Sequence, residues 1–416
     1  MNSDTDNHRD ILHTYKGRSH IMLKLATVAL LVAGVSGLTA SSSAVATTTH
    51  ADWTQNAAGS ARHANNAAET QLGASTVGQL TLAGGGITND CLCGSVRPIV
   101  SNGVVYGEAH VTGGAAIEAW DEQTGALLWA TPPFTLANNF AVSDGVLVAV
   151  DFFGNLIGFS TVDGSQLWAS ASGGISAQPV IANGVVYVTY GHIQALDLQT
   201  GAILWTGQPL DDWAASGPTV GVNGSAVFQY AGGTIFAFDT GDGHLLWSTA
   251  CTFHGANNGD RSPMVLRGVV YEGAGCAVNA TSGTPIWNLP AGRVSFTNDA
   301  TAGSRIFTGY EWGTLGHTYD RMAALDRNTG QVLWSHDVPS DLNSGGLGEG
   351  PIVANGLVYF TDRNFGQTTI KAFDTLTGKL VWKSQPVSGV YAISIADGRI
   401  WAIFNNDNLI RYWALP

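Results

Sequence analysis

Charged side chains are scarce in this sequence, and basic ones are the scarcest. Only 12% of the 416 residues are charged, and 18 lysines and arginines stand against 31 aspartates and glutamates, which gives a formal net charge of −13. Proteins that bind nucleic acids or anionic lipid surfaces rely on clustered basic residues, so the composition argues against both kinds of partner. The apolar share of 45% is that of a folded chain with a large core.

A hydrophobic run long enough to cross a membrane is also missing. The main apolar run, residues 25–35, is shorter than the roughly 20 residues that a spanning helix needs. It follows Lys24 and precedes Ala44-Val45-Ala46, the order typical of a cleaved secretory signal peptide. We therefore predict that residues 1–46 are a signal peptide with a polar N-terminal extension. The mature chain, with a net charge of −14, is then secreted or periplasmic. Since no cysteine follows the run closely, we expect no lipoprotein anchor.

One short pattern recurs along the rest of the chain. Residues 325–334 read LDRNTGQVLW, and close copies are DEQTGALLW at 121–129, DLQTGAILW at 197–205 and DTLTGKLVW at 374–382. Weaker copies occupy 160–168, 239–247 and 279–287. The copies close on Trp129, Trp168, Trp205, Trp247, Trp287, Trp334 and Trp382, at intervals of 37 to 48 residues. A period near forty residues is the signature of a repeat protein.

Each copy is typical of a strand, a tight turn and a second strand. The aspartate can hydrogen-bond the amides that follow it, and the glycine supplies a positive φ. Upstream of the copies lie hairpin signals such as PVIANGVVYVTYG at 179–191 and PIVANGLVYFTD at 351–362. Each unit is therefore predicted to be four antiparallel strands, which is one propeller blade. Ten residues before six of the tryptophans stands an alanine, and Gly158 takes this place in the second copy. This register suggests a slot that the indole of a neighbouring unit fills.

The combined pattern A-x-D-x-x-T-G-x-x-x-W, preceded by P-x-V-x-x-G-x-V-Y, resembles the pyrroloquinoline-quinone-like (quinoprotein-type) propeller repeat. A WD40 propeller has a similar period but carries a Trp-Asp pair, whereas here the tryptophan follows a Thr-Gly turn. The resemblance implies an eight-bladed all-β propeller with tryptophans docked between blades. It does not imply a bound quinone, because many proteins with this repeat bind none.

The two ends of the repeat region predict how the ring closes. Residues 390–416 supply three strands and stop before a Thr-Gly turn, whereas residues 76–82 fit the outermost-strand template with Leu82 in the tryptophan position. We therefore predict a propeller over 76–416 whose last blade is completed by the N-terminal strand, so that the ring leaves no open edge. The leader before it, residues 47–75, either packs on the propeller through Trp53 and Arg62 or forms a partly ordered linker.

The predicted fold places the candidate site residues at one face of the ring. Loops between blades, and loops between the second and third strands of each blade, share this mouth face, and the Thr-Gly turns occupy the opposite one. The channel-mouth candidates are Arg97, Arg261, Asp299 and Glu349, with Gln178 and Ser262 beside them. Their mixed charge suits a protein, a glycan or a small polar ligand, and the alternative is that they meet only water.

Four cysteines in an exported chain indicate disulfides. Cys251 lies between the fourth and fifth blades and Cys276 lies within the fifth, so these two are plausible partners. Cys91 and Cys93 enter the first blade across the ring from them, and they either close a small loop together or stay free. No pair has the spacing of a covalent haem or a zinc finger.

Two functions fit these observations. The first is a non-catalytic binding or scaffolding propeller, similar to the exported assembly factors that share the repeat, for which we predict no cofactor. The second is a quinone-dependent dehydrogenase of alcohols or sugars, which the resemblance would supply with pyrroloquinoline quinone and calcium or a lanthanide. Acidic Glu108, Asp299 and Glu349 are near the mouth and Trp312 could stack on a quinone, but no motif of the dehydrogenases surrounds them. We favour a monomeric binding propeller, with no cofactor and no catalytic or metal-binding residues.

Overall fold

A computed structural model describes residues 50–83, 87–88, 97–171, 178–189, 191–210, 219–220, 224–251, 262–272, 275–288, 294–295, 299–314, 317–338, 350–364, 366–404 and 409–416. The predicted signal peptide lies outside these residues. Within them, no helix is long and apolar enough to cross a membrane. Regular structure in the described ranges consists of strands and two 3-10 turns, Asn56–Ala58 and Val77–Gln79.

Eight sheets follow one another along the described chain, each built on four antiparallel strands. In the first seven, these four strands succeed one another in sequence from the innermost to the outermost. Blade 1 consists of Ile99–Ser101, Val104–Val111, Gly114–Asp121 and Leu127–Ala130, and blade 2 of Leu136–Ser143, Val146–Asp151, Asn155–Ser160 and Gln166–Ala171. Blade 3 consists of Val180–Ala182, Val185–Thr189, His192–Asp197 and Ile203–Pro209, and blade 4 of Thr219–Val220, Ala226–Ala231, Thr234–Asp239 and Leu245–Ala250. The predicted four-stranded blade is confirmed.

The second half repeats the arrangement and closes the ring. Blade 5 consists of Met264–Leu266, Val269–Glu272, Cys276–Asn279 and Pro285–Asn288, and blade 6 of Ala300–Ala302, Arg305–Thr314, His317–Asp326 and Val332–Val338. Blade 7 consists of Ile352–Ala354, Leu357–Asn364, Gln367–Asp374 and Leu380–Lys383. Blade 8 consists of Val390–Ala396, Arg399–Phe404 and Leu409–Ala414, and its fourth strand is Thr81–Leu82 from the N-terminal side. Short strands Val294–Ser295, Val387–Ser388 and Ile87–Thr88 add to blades 6, 7 and 8. The eight-bladed propeller closed by an N-terminal strand is confirmed.

The closing strand is shorter than predicted, and its register differs. Of the predicted strand 76–82, only Thr81 and Leu82 pair with blade 8. A turn closed by the Val77 amide and the Gly73 carbonyl (2.9 Å) precedes them. Leu82 lies opposite Trp413, whereas in blade 1 the residue in the tryptophan position lies opposite Ala119. The counterpart of that alanine in blade 8 is Tyr412, whose ring packs 4.7 Å from that of Trp401. Leu82 therefore does not occupy the tryptophan position.

The turns on the Thr-Gly face are held as the repeat predicts. In blade 1 the Asp121 carboxylate accepts hydrogen bonds from the amide and hydroxyl of Thr124, at 2.8 and 2.7 Å. These bonds stabilise the ionised form and lower the pKa of Asp121. Asp197, Asp326 and Asp374 make the same pair of bonds to the threonine three residues later. The first turn of the blades is equally regular, since Asn102, Asn183 and Asn355 have the positive φ that an Asn-Gly hairpin requires.

The tryptophans join each blade to the next, but the small residue has a different role from the one predicted. Gly158 and Ala119 lie opposite the tryptophan of their own blade, and a Cβ on Gly158 would come within 2.2 Å of Trp168. The indole of Trp129 instead reaches the next blade, where its Nε1 donates to the Thr161 carbonyl at 2.9 Å. Trp168, Trp205, Trp247, Trp287 and Trp334 donate in the same way to Leu198, Thr240, Ala280, Arg327 and Thr375. The prediction of a neighbour's slot was wrong: the small residue accommodates its own indole, which then bridges to the next blade.

Trp334 is half-buried. Its replacement by alanine should lower the free energy of unfolding by about 3 kcal/mol, the lower end of the range for truncating a large buried aromatic residue. Its indole packs between Phe307 and Phe373, with ring centroids 5.9 and 6.2 Å away. Leu333→Ala is the matched control, because this neighbouring side chain is exposed and its loss should change stability by no more than about 0.5 kcal/mol. Denaturant unfolding of the two variants measures the difference, and equal costs would contradict the inter-blade role.

The leader enters the ring instead of forming a linker. Trp53 pairs with Val100 of blade 1 through two backbone hydrogen bonds of 2.7 and 3.0 Å. Val100 lies on the innermost strand of blade 1, just before the Asn-Gly turn. In six further blades the leader also bonds the backbone of the residue that corresponds to Val100: Val142, Ile181, Val265, Thr301, Val353 and Ile395. These bonds satisfy the inner edges of the innermost strands, which face the central channel. The leader therefore fills the channel at its Thr-Gly end.

Candidate functional site

Of the described mouth candidates, Arg97 and Asp299 are buried, and Gln178 and Ser262 are half-buried. Arg97 is at the start of the innermost strand of blade 1, and its Nη1 donates to the Ile393 carbonyl of blade 8 at 3.2 Å. Gln178 accepts a hydrogen bond from the leader's Arg62 at 3.2 Å. Asp299 precedes the innermost strand of blade 6 and is also buried. Arg97 thus joins the first blade to the last, while Gln178 anchors the leader. Arg261, Glu349, Cys91 and Cys93 lie outside the described residues, as does the side chain of Trp312.

Cys251 and Cys276 form a disulfide, as predicted, with Cα atoms 5.8 Å apart. The bond joins the end of blade 4 to the third strand of blade 5 next to buried Glu272. It closes a loop of 25 residues, for which the loop-entropy relation gives a stabilisation of roughly 3–4 kcal/mol.

We expect the Cys251→Ala/Cys276→Ala double variant to lose roughly that amount of stability relative to the oxidised protein. Urea unfolding with and without reductant measures this loss. Reductant should lower the stability of the wild type, but it should not change that of the double variant through this bond. Peptide mapping should recover Cys251 linked to Cys276. A link from Cys251 to Cys91 or Cys93 would contradict the blade order.

Two consecutive aromatic side chains are exposed on the mouth face, and sequence reasoning missed them. Phe152 and Phe153 are 62% and 70% exposed at the turn between the second and third strands of blade 2. The Asp151 carboxylate fixes this turn by accepting bonds from the amides of Phe153 (2.9 Å) and Asn155 (2.7 Å). The sequence signal was the run Asp-Phe-Phe-Gly-Asn, in which a turn leaves both rings without a core position. A rigid turn with two exposed rings is a preformed apolar contact.

A ring of exposed apolar residues also follows the outer rim. It arises because the residues that precede each tryptophan on the outermost strand point to solvent while the indole packs inward. Its members are Leu127, Leu128, Leu167, Ile203, Leu204, Leu246, Ile286, Val332, Leu333 and Leu380. These residues recur in every blade with a tryptophan, so they do not mark one place on the ring.

A third feature is a polar groove of about 410 Å³ on the Thr-Gly face, between blades 1 and 2. The leader supplies Asp52 and Thr54 to its wall, and blade 2 supplies Ser143 and Asp144. The Asp52 carboxylate is already engaged, because it accepts bonds from the Asn102 amide at 2.9 Å and the Ser101 hydroxyl at 3.2 Å. We therefore interpret this groove as the place where the leader is attached to blade 1, and not as a ligand site.

Titratable groups cluster where the leader meets the ring joint. His50 lies 2.9 Å from Asp397 in the first turn of blade 8, and this carboxylate raises the pKa of His50. Glu122, in the Thr-Gly turn of blade 1, accepts a hydrogen bond of 2.7 Å from Arg399. Burial, followed by the negative charge of Asp397, raises the pKa of Glu122 to about 7. A leader segment and two blades thus contribute to one charged cluster.

A half-buried histidine of the leader is expected to make its attachment sensitive to acid. The Nε2–H of His63 donates to the Val265 carbonyl of blade 5, and burial lowers the pKa of His63 below its usual 6.5. A group whose pKa falls on folding contributes stability that is complete above its unfolded pKa and is lost as the pH falls through its folded pKa. The wild type should therefore lose more thermal stability between pH 7.5 and pH 5 than His63→Gln does. Melting curves across this range test it, and parallel curves would contradict it.

Among the described residues, no group of His, Cys, Asp or Glu side chains that could hold a quinone's metal ion lies at the mouth. A quinone site needs an apolar sandwich and a cation held by several oxygens. Among the described residues, the two groups of three His, Asp or Glu side chains that could hold a metal ion lie on the Thr-Gly face, at His50/Glu122/Asp397 and at Asp239/Asp242/His244. At the mouth, Arg97 and Gln178 are committed to Ile393 and Arg62. The absence of a cofactor and of catalytic residues remains a prediction.

The eight blades, the Thr-Gly turns and the bridging tryptophans define a quinoprotein-type, PQQ-like propeller. The family model described as "Outer membrane protein assembly factor BamB" matches residues 113–275 and 276–412, and this chain belongs to that family. BamB from Burkholderia pseudomallei is 28% identical over 289 residues, which are 63% of this chain and 73% of the relative.

Solved structures share the fold at lower identity. BamB from Moraxella catarrhalis superimposes with a TM-score of 0.61 at 19% identity, over 80% of this chain and 99% of that one. Quinohemoprotein alcohol dehydrogenase from Comamonas testosteroni gives a TM-score of 0.66 at 14% identity, over 87% and 80% of the two chains. Because a protein named as an assembly factor and a dehydrogenase have the same fold, the fold by itself does not assign a function.

Proposed function

We propose that this protein is an exported, non-catalytic scaffolding propeller that binds a partner protein of the cell envelope through its mouth face. The observation that carries the proposal is the rigid pair Phe152 and Phe153, two large aromatic side chains held in solvent by the Asp151 turn. Exposed aromatic residues are the commonest anchors of protein interfaces. The membership of a family named for outer membrane protein assembly supports a partner in the envelope.

The blocked end of the channel favours the same face. The leader bonds to the innermost strands on the Thr-Gly side, so a partner's loop can enter the ring only from the mouth. A bound loop would meet the Phe152–Phe153 turn at the rim. The low content of basic residues fits a partner protein better than nucleic acid.

Site-specific photocrosslinking in the producing cell tests this proposal. A photoreactive residue at position 153 should give a discrete adduct with one envelope protein. Position 162 is the matched control, because Val162 is 84% exposed in the same blade but on the Thr-Gly face. Phe152→Ser/Phe153→Ser should weaken binding of the identified partner by about tenfold or more and leave the melting temperature unchanged. No adduct at 153, or equal adducts at both positions, would contradict the proposal.

The dehydrogenase alternative has its own test. Dye-linked oxidation of alcohols and sugars is measured after reconstitution with pyrroloquinoline quinone and calcium or a lanthanide, and we expect none. Robust turnover that disappears in Asp299→Asn would overturn the scaffolding assignment. That residue is buried at the mouth end of blade 6, so its variant must also be shown to fold by circular dichroism.

A further inference from the structure

Three potential metal ligands converge at the joint that closes the ring, and they come from three separate parts of the chain. His50 belongs to the leader, Glu122 to the Thr-Gly turn of blade 1, and Asp397 to the first turn of blade 8. One atom of each, an imidazole nitrogen and a carboxylate oxygen from each acid, lies within 4.8 Å of the others. His50 Nδ1 and Asp397 Oδ2 are 2.9 Å apart.

The two carboxylates are oriented by their remaining oxygens. Asp397 Oδ1 accepts the Ala51 amide at 2.5 Å, which leaves Oδ2 on the side of His50. Glu122 Oε1 accepts Arg399 Nη1 at 2.7 Å. The guanidinium is itself fixed, because it also bonds the Glu122 carbonyl at 3.0 Å and lies 4.8 Å from the Tyr412 ring centroid. Such outer contacts are what orient the ligands of metal sites.

Burial distinguishes this cluster from an ordinary group of surface acids. The Glu122 side chain is only 4% exposed, and it faces a second carboxylate, Asp397, across the joint. Two carboxylates this close together, of which Glu122 is buried and Asp397 half-buried, require positive charge nearby. Arg399 supplies one charge from behind Glu122, while the side towards His50 remains partly open to solvent. One protein nitrogen, two oxygens and an accessible position form the donor set of a four-coordinate zinc-type ion.

We propose that His50, Glu122 and Asp397 bind one divalent transition-metal ion of the zinc class, with water as the remaining ligand. A nitrogen ligand does not suit calcium or magnesium, which take oxygen ligands. The ion clamps the leader to the first and last blades at the place where the ring closes. This inference is independent of the partner proposed above, because the clamp lies on the opposite face.

The second group, Asp239, Asp242 and His244, provides the matched control. It has the same kinds of ligand, but all three come from one exposed turn, and the side chains of His244 and Asp242 are 58% and 69% exposed. Among the described residues, the hydrogen bonds to the carboxylates of Asp239 and Asp242 come from the same turn. We expect it to contribute little to metal binding.

Cobalt titration of the untagged, chelator-treated protein tests the site. We expect one equivalent of Co²⁺ to bind with visible d–d absorption, and Zn²⁺ to displace it and raise the melting temperature. Glu122→Gln and Asp397→Asn should each weaken binding at least tenfold, whereas Asp242→Asn should bind as the wild type does. His50→Gln, at a partly exposed position, gives the same test if the buried variants fail to fold.

Two outcomes would overturn the proposal. One is the absence of stoichiometric Co²⁺ binding to the wild type at 1 mM metal, a concentration chosen to be about a thousand times the Kd of a micromolar site. The other is binding that survives in Glu122→Gln and His50→Gln but is lost in Asp242→Asn, which would place the ion on the exposed turn.

Discussion

Removal of residues 50–66 is expected to destabilise this propeller more than the loss of any single side chain. The leader bonds to the innermost strands of seven blades, and its removal leaves those strand edges facing an open channel. Each buried backbone group without a partner costs about 1–3 kcal/mol. Trp53, which is fully buried, should alone cost about 3–5 kcal/mol when replaced by alanine.

Thermal unfolding of three chains measures this effect. A chain that begins at Thr47 is the control, and it should melt like the full protein because the described contacts of the leader begin at His50. The chain that begins at residue 67 should melt far lower or aggregate. Equal melting temperatures for these two chains would show that the leader does not support the ring.

Deletion of residues 76–83 is expected to have the second largest effect, because it opens the ring. Thr81 and Leu82 pair with Ala414 and Trp413, and the Ala83 amide donates to the Tyr412 carbonyl at 2.9 Å. Without them the outer edge of blade 8 is exposed beside blade 1. Unpaired edges of this kind promote association between molecules. We expect a large fall in melting temperature and concentration-dependent aggregation.

Size-exclusion chromatography with light scattering follows this aggregation. Gln79→Ala is the control, because its side chain is exposed in the same segment, and it should remain as the wild type. A deleted protein that stays monomeric with unchanged stability would contradict closure by the N-terminal strand.

The fold could be predicted because its signals are local and repeated. Asp121 and Thr124 specify a turn within four residues, and Asn102 with Gly103 specifies a hairpin. Because seven copies of the repeat carry such signals, the sequence predicts a propeller of four-stranded blades. The register of Leu82 was predicted wrongly for the same reason: blade 8 lacks the local pattern, since Tyr412 stands where the other blades have a small residue.

The candidate site could be predicted only in part. Cys251 and Cys276 were paired correctly, because blade order places them side by side. Arg97 was predicted as a ligand-binding candidate, but the structure uses its guanidinium to bond Ile393 across the ring joint. The exposed Phe152 and Phe153 were missed, because consecutive aromatic residues in a sequence do not show whether a core receives them.

The sequence by itself determined the number of blades, the direction of each turn and the chain ends that close the ring, since these depend on contacts within each repeat. Only the tertiary structure decided where the leader lies and which groups meet at the joint. His50 and Asp397 are 347 residues apart, and Glu122 and Arg399 are 277 apart. No local pattern encodes such contacts. They arise because a closed ring brings its first and last blades together, and because the inner strand edges need hydrogen-bond partners that only the leader provides among the described residues.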